Sequence, residues 1–170
     1  MRNARSKENL ALELAFSEMD SPVGKLKLVA HGHSLVAVLW QNEKLNRVIL
    51  PDLIQDDLHP VLLSAKQQLE EYFQGQRKVF DVPLDFQGTP FQKQVWQALL
   101  TIPFGETRSY QEIAVQIGNP MAVRAVGAAN GRNPISIIAP CHRVIGSNGR
   151  LVGFAGGLEN KKILLQIESL

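Results

Sequence analysis

The residues best suited to chemistry lie around Cys141, the single cysteine of the sequence. His142 follows it directly, and Pro140 fixes the backbone just before it. An apolar run at residues 135–138 precedes the pair, and a glycine-punctuated loop at residues 146–149 follows it. This pattern is typical of a nucleophilic thiol at the end of a buried segment. The alternative is a structural thiol, because most lone cysteines act as small buried hydrophobes.

Size and composition are those of a soluble globular protein. The 170 residues suffice for one or two small domains, and 20% of them are charged. No apolar run is long enough to cross a bilayer, and residues 1–9 lack the apolar core of a signal peptide. A single cysteine excludes an internal disulfide and a cysteine-rich zinc site, and a free thiol fits a reducing compartment. We therefore expect a cytoplasmic protein with no membrane association and no bound metal.

Charge is distributed unevenly along the chain. Residues 1–87 hold 10 Lys and Arg against 12 Asp and Glu, whereas residues 88–170 hold 8 against 4. The half that carries Cys141 is therefore the basic one. This suits an anionic partner such as nucleic acid, although an ordinary solvated surface would give the same small excess.

The N-terminal half is predicted to be a small α/β scaffold domain, residues 1–87, with a flexible start at residues 1–10. Alternating apolar residues between turn signals predict a meander of three antiparallel strands, followed by an amphipathic helix. Nothing in this half indicates chemistry. The expected elements are strands at residues 12–16, 25–29 and 35–40, a mixed and initially helical stretch at 44–57, a helix at 59–74 and a strand at 79–86.

The C-terminal half, residues 88–170, is predicted to be mainly helical, which makes the whole chain α/β in the α+β sense. Thr89 can cap a helix that starts at Pro90. Two further apolar patterns separated by Gly-Asn-Pro are typical of a helix-turn-helix, and a last helix follows a glycine-rich loop. The expected helices span residues 91–100, 110–118, 121–130 and 158–168.

The second helix of the predicted helix-turn-helix is rich in alanine and glycine, and only Arg124 projects far from it. Small side chains allow close approach to another surface, so the pattern favours shape-based contact with one inserted arginine over reading of base sequence. A plain αα-hairpin is the alternative. Glu168, at the end of the last helix, is unfavourably placed in the helix dipole. It therefore either has a partner elsewhere or is simply solvated.

Several spaced motifs are similar to one family. The Pro-Cys-His-Arg-Val segment at residues 140–144 resembles the signature of the 6-O-alkylguanine-DNA alkyltransferases, also called methylated-DNA–protein-cysteine methyltransferases. The resemblance covers residues 88–170 nearly throughout, and the first half matches only in outline. The other matching blocks are residues 89–92 with Trp96, 102–105, 124–130, 133–135, and 156–158 with Lys161, Leu164, Leu165 and Glu168.

The resemblance implies a DNA repair reaction without a cofactor. An alkyl group would pass irreversibly from the 6-oxygen of guanine to the thiolate of Cys141, and the 4-oxygen of thymine is a further candidate donor. His142 would take the thiol proton through a water molecule, and Glu168 would orient His142. Asn133 would brace the backbone, and Tyr110 would donate a proton to the departing guanine. Ala155 stands where some members of the family have serine, and Phe154 stands where tyrosine is frequent.

The implied partner is duplex DNA that contains alkylated guanine, bound by a monomer through the minor groove without regard to sequence. The damaged base would leave the stack, and Arg124 would fill the gap. The residues expected to contact DNA are Ala122, Arg124, Ala125, Gly127, Ala128, Arg132 and Tyr110. The residues expected to line the substrate pocket are Val144, Phe154, Ala155 and Gly156.

Two other functions compete with alkyl transfer. One is a non-catalytic alkyltransferase-like protein that binds the lesion and signals to other repair proteins, but such relatives lack the cysteine that is present here as Cys141. The other is a Cys-His hydrolase such as a thiol amidase, for which the sequence offers no oxyanion hole.

Overall fold

The computed structural model describes residues 13–169, and an antiparallel meander forms its N-terminal part. The meander consists of β1 (Leu14–Met19), β2 (Leu26–His31) and β3 (Ser34–Leu39), as predicted. A fourth strand, β4 (Leu53–Gln55), pairs in parallel with β1 and gives the sheet order β3-β2-β1-β4. The prediction of a flexible start at residues 1–10 falls outside the described residues.

Two stretches of this half differ from the prediction. Residues 44–57 were expected to begin as a helix but form turns that lead into β4. A strand of only three residues is too short for its alternation to be recognised. The strand predicted at residues 79–86 is reduced to one bridge between Leu84 and Leu35. Pro83 adjoins that bridge and has no N–H group, so a regular ladder cannot extend through it.

Helix α1 (Pro60–Phe73) covers the sheet and matches the predicted helix. His59 caps it, since its Nδ1 accepts a hydrogen bond from the backbone N–H of Val61 at 3.2 Å. The buried face of the helix consists of Leu62, Ala65, Gln68, Leu69 and Tyr72.

Four helices form most of the C-terminal half: α2 (Pro90–Leu99), α3 (Tyr110–Gln116), α4 (Val123–Gly131) and α5 (Leu158–Ile167). The predicted capping of α2 is confirmed, because Thr89 and Gln92 form a reciprocal capping box. The predicted helix-turn-helix is present as α3 and α4. Gly118, with φ +79°, supplies the left-handed backbone of the turn. No helix within residues 13–169 has the length and apolar character needed to span a membrane.

Short contacts join the two halves and set the position of the segment around Cys141. The N–H of Val38 in β3 donates to the carbonyl of Pro134 at 2.9 Å, which docks that segment on the sheet. Two-residue strands, β5 (Arg108–Ser109) and β6 (Val144–Ile145), pair in parallel. The start of α3 therefore lies beside the backbone that follows Cys141. One continuous hydrophobic core includes residues of both halves.

Candidate functional site

Two very tight turns lead the backbone into Cys141. The N–H of Ile138 donates to the carbonyl of Ser136 at 2.9 Å, and the N–H of Cys141 donates to that of Ala139 at 2.8 Å. Each bond closes a three-residue turn. Ile137, at the centre of the first turn, has φ +74°, which is strained for a β-branched side chain. Backbone strain is thus concentrated within four residues of the thiol.

The Asn133 side chain ties these turns together. Its Oδ1 accepts from the N–H of Ile135 at 3.0 Å, and its Nδ2 donates to the carbonyl of Ala139 at 2.8 Å. The residue is fully buried, so both bonds form out of water, where an unpaired amide is costly. Asn133 therefore holds both ends of the strained segment, which is the geometry expected of a brace.

Cys141 begins a single turn of 3₁₀ helix, Cys141–Arg143, and its side chain is 2% exposed. Burial raises the pKa of the thiol above its ordinary value, because the thiolate loses its hydration. A hydrogen bond from Asn133 and the charges of Arg47 and Lys161 oppose this rise without cancelling it. The resting sulfur is therefore protonated, and a base must remove the proton before the sulfur can attack.

His142 is fully buried and pairs with Glu168, with Nε2 lying 2.5 Å from Oε2. Burial lowers the pKa of His142, and this outweighs the opposite effect of Glu168, so the imidazole is neutral. With Nε2–H donated to the carboxylate, Nδ1 is the nitrogen that can accept a proton; this tautomer follows from the hydrogen-bond pattern. Nδ1 has no hydrogen-bond partner among the described residues.

Glu168 follows the last residue of α5 and is the most heavily bonded side chain of the site. Its Oε1 accepts from Arg143 Nε at 2.6 Å and from the backbone N–H of Gly105 at 3.4 Å. Its Oε2 accepts from His142 and from the hydroxyl of Tyr72, both at 2.5 Å. Burial alone would raise the pKa of Glu168, but these donors outweigh it and hold the pKa at about 2. Of the two alternatives for Glu168, a partner elsewhere or a solvated side chain, the structure therefore has the first.

Tyr110, the first residue of α3, faces the same region and is half-buried. Burial, together with the charge of a thiolate at Cys141, raises its pKa, so the phenol keeps its proton. Nearby, Asn130 Nδ2 donates to the carbonyl of Cys141 at 3.4 Å, and Asn130 Oδ1 is buried without a partner among the described residues. A phenol that can donate therefore stands close to the sulfur.

The glycine-rich loop before α5 packs over the site and against the N-terminal sheet. Lys161 is fully buried, and its Nζ donates to the carbonyls of Val144 at 2.7 Å and Val152 at 3.3 Å. The Phe154 ring meets Trp40 edge to face, with centroids 5.4 Å apart. Of the predicted pocket residues, Val144 and Phe154 are buried, and Ala155 and Gly156 are half-buried.

The exposed face of α4 carries the predicted DNA contacts. Arg124 stands in its first turn and is exposed, and the other exposed residues of the helix are Ala125, Ala128 and Gly131. This face therefore combines one long cationic side chain with small residues, whose backbone a nucleic acid could approach closely. Arg124, Ala125, Ala128 and Arg132 are exposed, and Ala122 and Gly127 are half-buried.

Sequence reasoning missed the polar residues that support the site from outside its motifs. Tyr72 lies in the helix predicted at residues 59–74 and Arg47 in the mixed stretch at 44–57, both in the half predicted to be a scaffold, and the sequence analysis gives neither residue a role. Arg47 pairs with Glu43 and donates to the carbonyl of Asn133 at 2.8 Å. The signal that could have revealed Tyr72 is a tyrosine at a core position of a helix, because its buried hydroxyl needs a hydrogen-bond partner.

The titratable groups of the site form a chain and not a set of metal ligands. Glu168 is the carboxylate that contacts His142, and its oxygens are occupied by donors. Within residues 13–169, no three His, Cys, Asp or Glu side chains are grouped so as to hold a metal ion.

Comparisons with known proteins agree with this site. Residues 14–86 match the family described as "6-O-methylguanine DNA methyltransferase, ribonuclease-like domain", and residues 90–170 match its "DNA binding domain". The methylated-DNA–protein-cysteine methyltransferase of Mycobacterium tuberculosis is 51% identical over 154 residues, which cover 90% of this chain and 91% of that one. The constitutive enzyme of Bacillus subtilis is 46% identical over 159 residues, covering 91% and 95%.

The structural comparison gives the same result. The crystal structure of M. tuberculosis OGT in complex with DNA superposes with a TM-score of 0.84 at 49% identity, covering 91% of this chain and 92% of that one. Both halves of the chain are therefore matched in sequence and in fold. On these grounds the chain belongs to the 6-O-methylguanine DNA methyltransferase family.

Proposed function

We propose that this protein repairs DNA by direct reversal, moving a methyl or larger alkyl group from the 6-oxygen of guanine to Cys141. The observation that carries the proposal is the chain of contacts behind the sulfur. A neutral His142 follows Cys141 and is held through Nε2 by an ionised Glu168, and its Nδ1 has no partner within residues 13–169. The names of the relatives that match most of the chain support the same reaction.

The step balances with groups present in the site. His142 Nδ1 takes the thiol proton, and the sulfur attacks the alkyl carbon as the bond from that carbon to the guanine oxygen breaks. The electron pair leaves with guanine, and Tyr110 protonates the ring nitrogen that faces it. The proton held by His142 then restores the phenol through solvent. The product is a thioether at Cys141, which no group of the site can cleave, so each molecule reacts once.

Recognition of the base edge would use backbone groups next to the sulfur. The carbonyl of Cys141 accepts from the backbone N–H of Val144 and, at 3.4 Å, from Asn130 Nδ2. The carbonyl of Val144 accepts from Lys161 Nζ at 2.7 Å. A carbonyl oxygen has two lone pairs, so the Val144 carbonyl can also accept from the guanine amine, and the Cys141 carbonyl can do so in place of its long bond from Asn130. The backbone amide after Phe154 would donate to the substrate oxygen.

The exposed face of α4 would bind duplex DNA in the minor groove. Arg124 would enter the stack in place of the flipped base, which offsets an unstacking cost of a few kcal/mol. Ala125 and Ala128 would let the helix approach closely, and Arg132 would meet the phosphate backbone. The DNA complex of the M. tuberculosis relative supports a DNA partner for this chain.

We further propose the organisation and setting of the protein. Residues 1–87 and 88–170 act as two domains, a division supported by the two family matches at residues 14–86 and 90–170. The protein works as a monomer in the cytoplasm, where a free thiol at Cys141 stays reduced.

Mass spectrometry after incubation with a duplex containing 6-O-methylguanine tests the proposal. We expect one added methyl mass per protein, located on the peptide with Cys141, and an equal amount of restored guanine. Cys141→Ala should bind the duplex and transfer nothing. Repair by Cys141→Ala, turnover beyond one event per molecule, or lesion binding by the wild type without transfer would each contradict it; the last would favour the lesion-binding alternative.

A further inference from the structure

The N-terminal half contributes one hydroxyl to the buried carboxylate behind the sulfur. Tyr72 lies in the last turn of α1 and is fully buried. Its hydroxyl lies 2.5 Å from Glu168 Oε2, 96 positions further along the chain. That same oxygen is the partner of His142 Nε2 at 2.5 Å. A residue of the predicted scaffold is thus two hydrogen bonds away from the group that would deprotonate Cys141.

We propose that Tyr72 is a positioning residue for alkyl transfer: its hydroxyl fixes the Glu168 oxygen that orients His142. The inference rests on the proposed function and gives the N-terminal half a part in the reaction beyond support of the fold.

The direction of this hydrogen bond is set by the surroundings. Burial and the neighbouring Glu168 both raise the pKa of Tyr72, so the phenol keeps its proton at every pH the protein meets. An ionised carboxylate can only accept. Tyr72 therefore donates to Glu168. Because Arg143 and the Gly105 N–H occupy the other oxygen, both oxygens of the carboxylate are fixed from different directions.

Packing fixes the Tyr72 ring and hence the place of its hydroxyl. The ring centroid lies 5.3 Å from that of Phe73, 5.5 Å from that of Phe80 and 6.2 Å from that of Phe104. Phe104 belongs to the C-terminal half and the other two rings to the N-terminal half. The hydroxyl can therefore hold Glu168 in one position, since the ring that carries it is confined from both halves.

The hydroxyl also affects how strongly the carboxylate attracts a proton on His142. Two donors on one oxygen share its charge, and each weakens its attraction for the other. Without the Tyr72 hydroxyl, Glu168 would stabilise a charged imidazole more strongly, and the pKa of His142 would rise. The other charged groups that act on His142 are Arg143 beside it and Lys161 from α5, and neither contacts the Tyr72 hydroxyl.

Tyr72→Phe tests the inference, because it removes the hydroxyl and keeps the ring. The rate constant for methyl transfer to Cys141 is measured from pH 5 to 9, with methylated duplex and with free 6-O-methylguanine. We expect transfer about tenfold slower at the optimum on both substrates, which is the usual effect of losing one hydrogen bond to a charged group. The acid limb of the profile should move to higher pH.

Phe80→Leu is the matched control, since it loosens the same ring cluster without touching Glu168. It should lower Tm and leave the pH profile in place. A ¹⁵N NMR titration of the His142 ring gives a readout independent of transfer, and the midpoint should rise in Tyr72→Phe only. An unchanged profile and midpoint in Tyr72→Phe, or equal slowing in both variants at every pH, would overturn the inference.

The two proposals fail in different ways. A wild-type protein that transfers no methyl group to Cys141 would refute the proposed function. Normal transfer by the wild type, together with wild-type behaviour of Tyr72→Phe, would refute only the role of Tyr72.

Discussion

At the scale of single residues, Cys141 is unusual for a reactive cysteine because it is buried. Reactive thiols commonly sit partly exposed in electropositive surroundings, where the thiolate is favoured. Here burial raises the pKa of the thiol, so the resting sulfur is a poor nucleophile towards reagents in solution. In the proposed reaction the thiolate forms only when His142 takes the proton. Such an arrangement limits wasteful reaction of a residue that can be used once.

The Glu168 carboxylate predicts acid-sensitive stability. Its pKa falls from an ordinary 4.5 to about 2 in the folded protein. Its contribution to the free energy of unfolding is therefore complete above pH 4.5 and is lost as the pH falls towards 2. Burial also lowers the pKa of His142 below its ordinary 6.5. As the pH falls, the unfolded chain therefore binds a proton at this histidine before the folded protein does, and the free energy of unfolding declines below pH 6.5 as well.

Calorimetry of Glu168→Gln between pH 2 and 8 checks this assignment. At pH 7 we expect a loss of about 3–5 kcal/mol, because the buried Arg143 keeps its charge without a charged partner. Below pH 4.5 the wild-type decline in Tm should become shallower in the variant. Glu159→Gln is the control, since its carboxylate is exposed and should follow the wild type. A variant that retains the full acid decline would show that Glu168 does not cause it.

At the scale of elements, the β5–β6 pair positions Tyr110 near the sulfur, and α4 presents an exposed face beside it. The parallel pairing of Arg108 with Val144 sets the start of α3, and therefore Tyr110, beside the backbone after Cys141. Helix α4 is held from behind, where Trp96 Nε1 donates to the carbonyl of Ala129 at 2.8 Å. A buried side held by this hydrogen bond and an outer side of small residues suit a helix that must approach another surface closely.

Arg124→Ala should separate DNA handling from chemistry. We expect transfer from a methylated duplex to slow by about tenfold or more, since the flipped state loses the side chain that fills the stack. Transfer from free 6-O-methylguanine should stay within about twofold, because no base leaves a stack. Quenched-flow rates on both substrates give the comparison, with Arg77→Ala, an arginine of the other half paired with Glu71, as the control. Equal slowing on both substrates would exclude a wedge role.

At the scale of the whole molecule, the two halves meet around the site and complete it together. The N-terminal half supplies Tyr72 to Glu168, Arg47 to the carbonyl of Asn133, and Trp40 to the loop before α5. These contacts bring the N-terminal half directly against the groups that are proposed to react. The proposed role of Tyr72 would extend the contribution of this half beyond support of the fold.

Gly156→Ala tests the contact between the loop and the sheet. A Cβ at Gly156 would stand 2.6 Å from Trp40 ring atoms, so the loop or the indole must move. We expect Tm to fall by several degrees, as for a destabilisation of about 1–3 kcal/mol, together with slower transfer and altered Trp40 fluorescence. Trp40→Phe in the same background frees space and should restore part of the rate. Gly131→Ala is the control, because a Cβ at Gly131 would have no atom within 4 Å. Wild-type behaviour of Gly156→Ala would refute the contact.

Much of the fold could be predicted because its signals are local. The capping box of Thr89 and the apolar spacing in α1 lie within a few residues of the structures they specify. Strand β4 was missed because it is short and pairs with β1 across a long gap in sequence. The site was predicted through motifs, so His142 and Glu168 were expected together, whereas Tyr72 carries no motif and looked like an ordinary core aromatic.

The sequence by itself determined the main helices, the three strands of the meander and the basic character of the C-terminal half. It also determined the candidate nucleophile and its neighbouring base, since each of these features depends on residue type and near spacing. Only the tertiary structure decided the protonation of the site and its partners. A pKa depends on burial and on charges that meet through space, as Glu168 does with Arg143 and Tyr72. The involvement of the N-terminal half could emerge only from packing, because no local pattern records which distant side chain a buried carboxylate will meet.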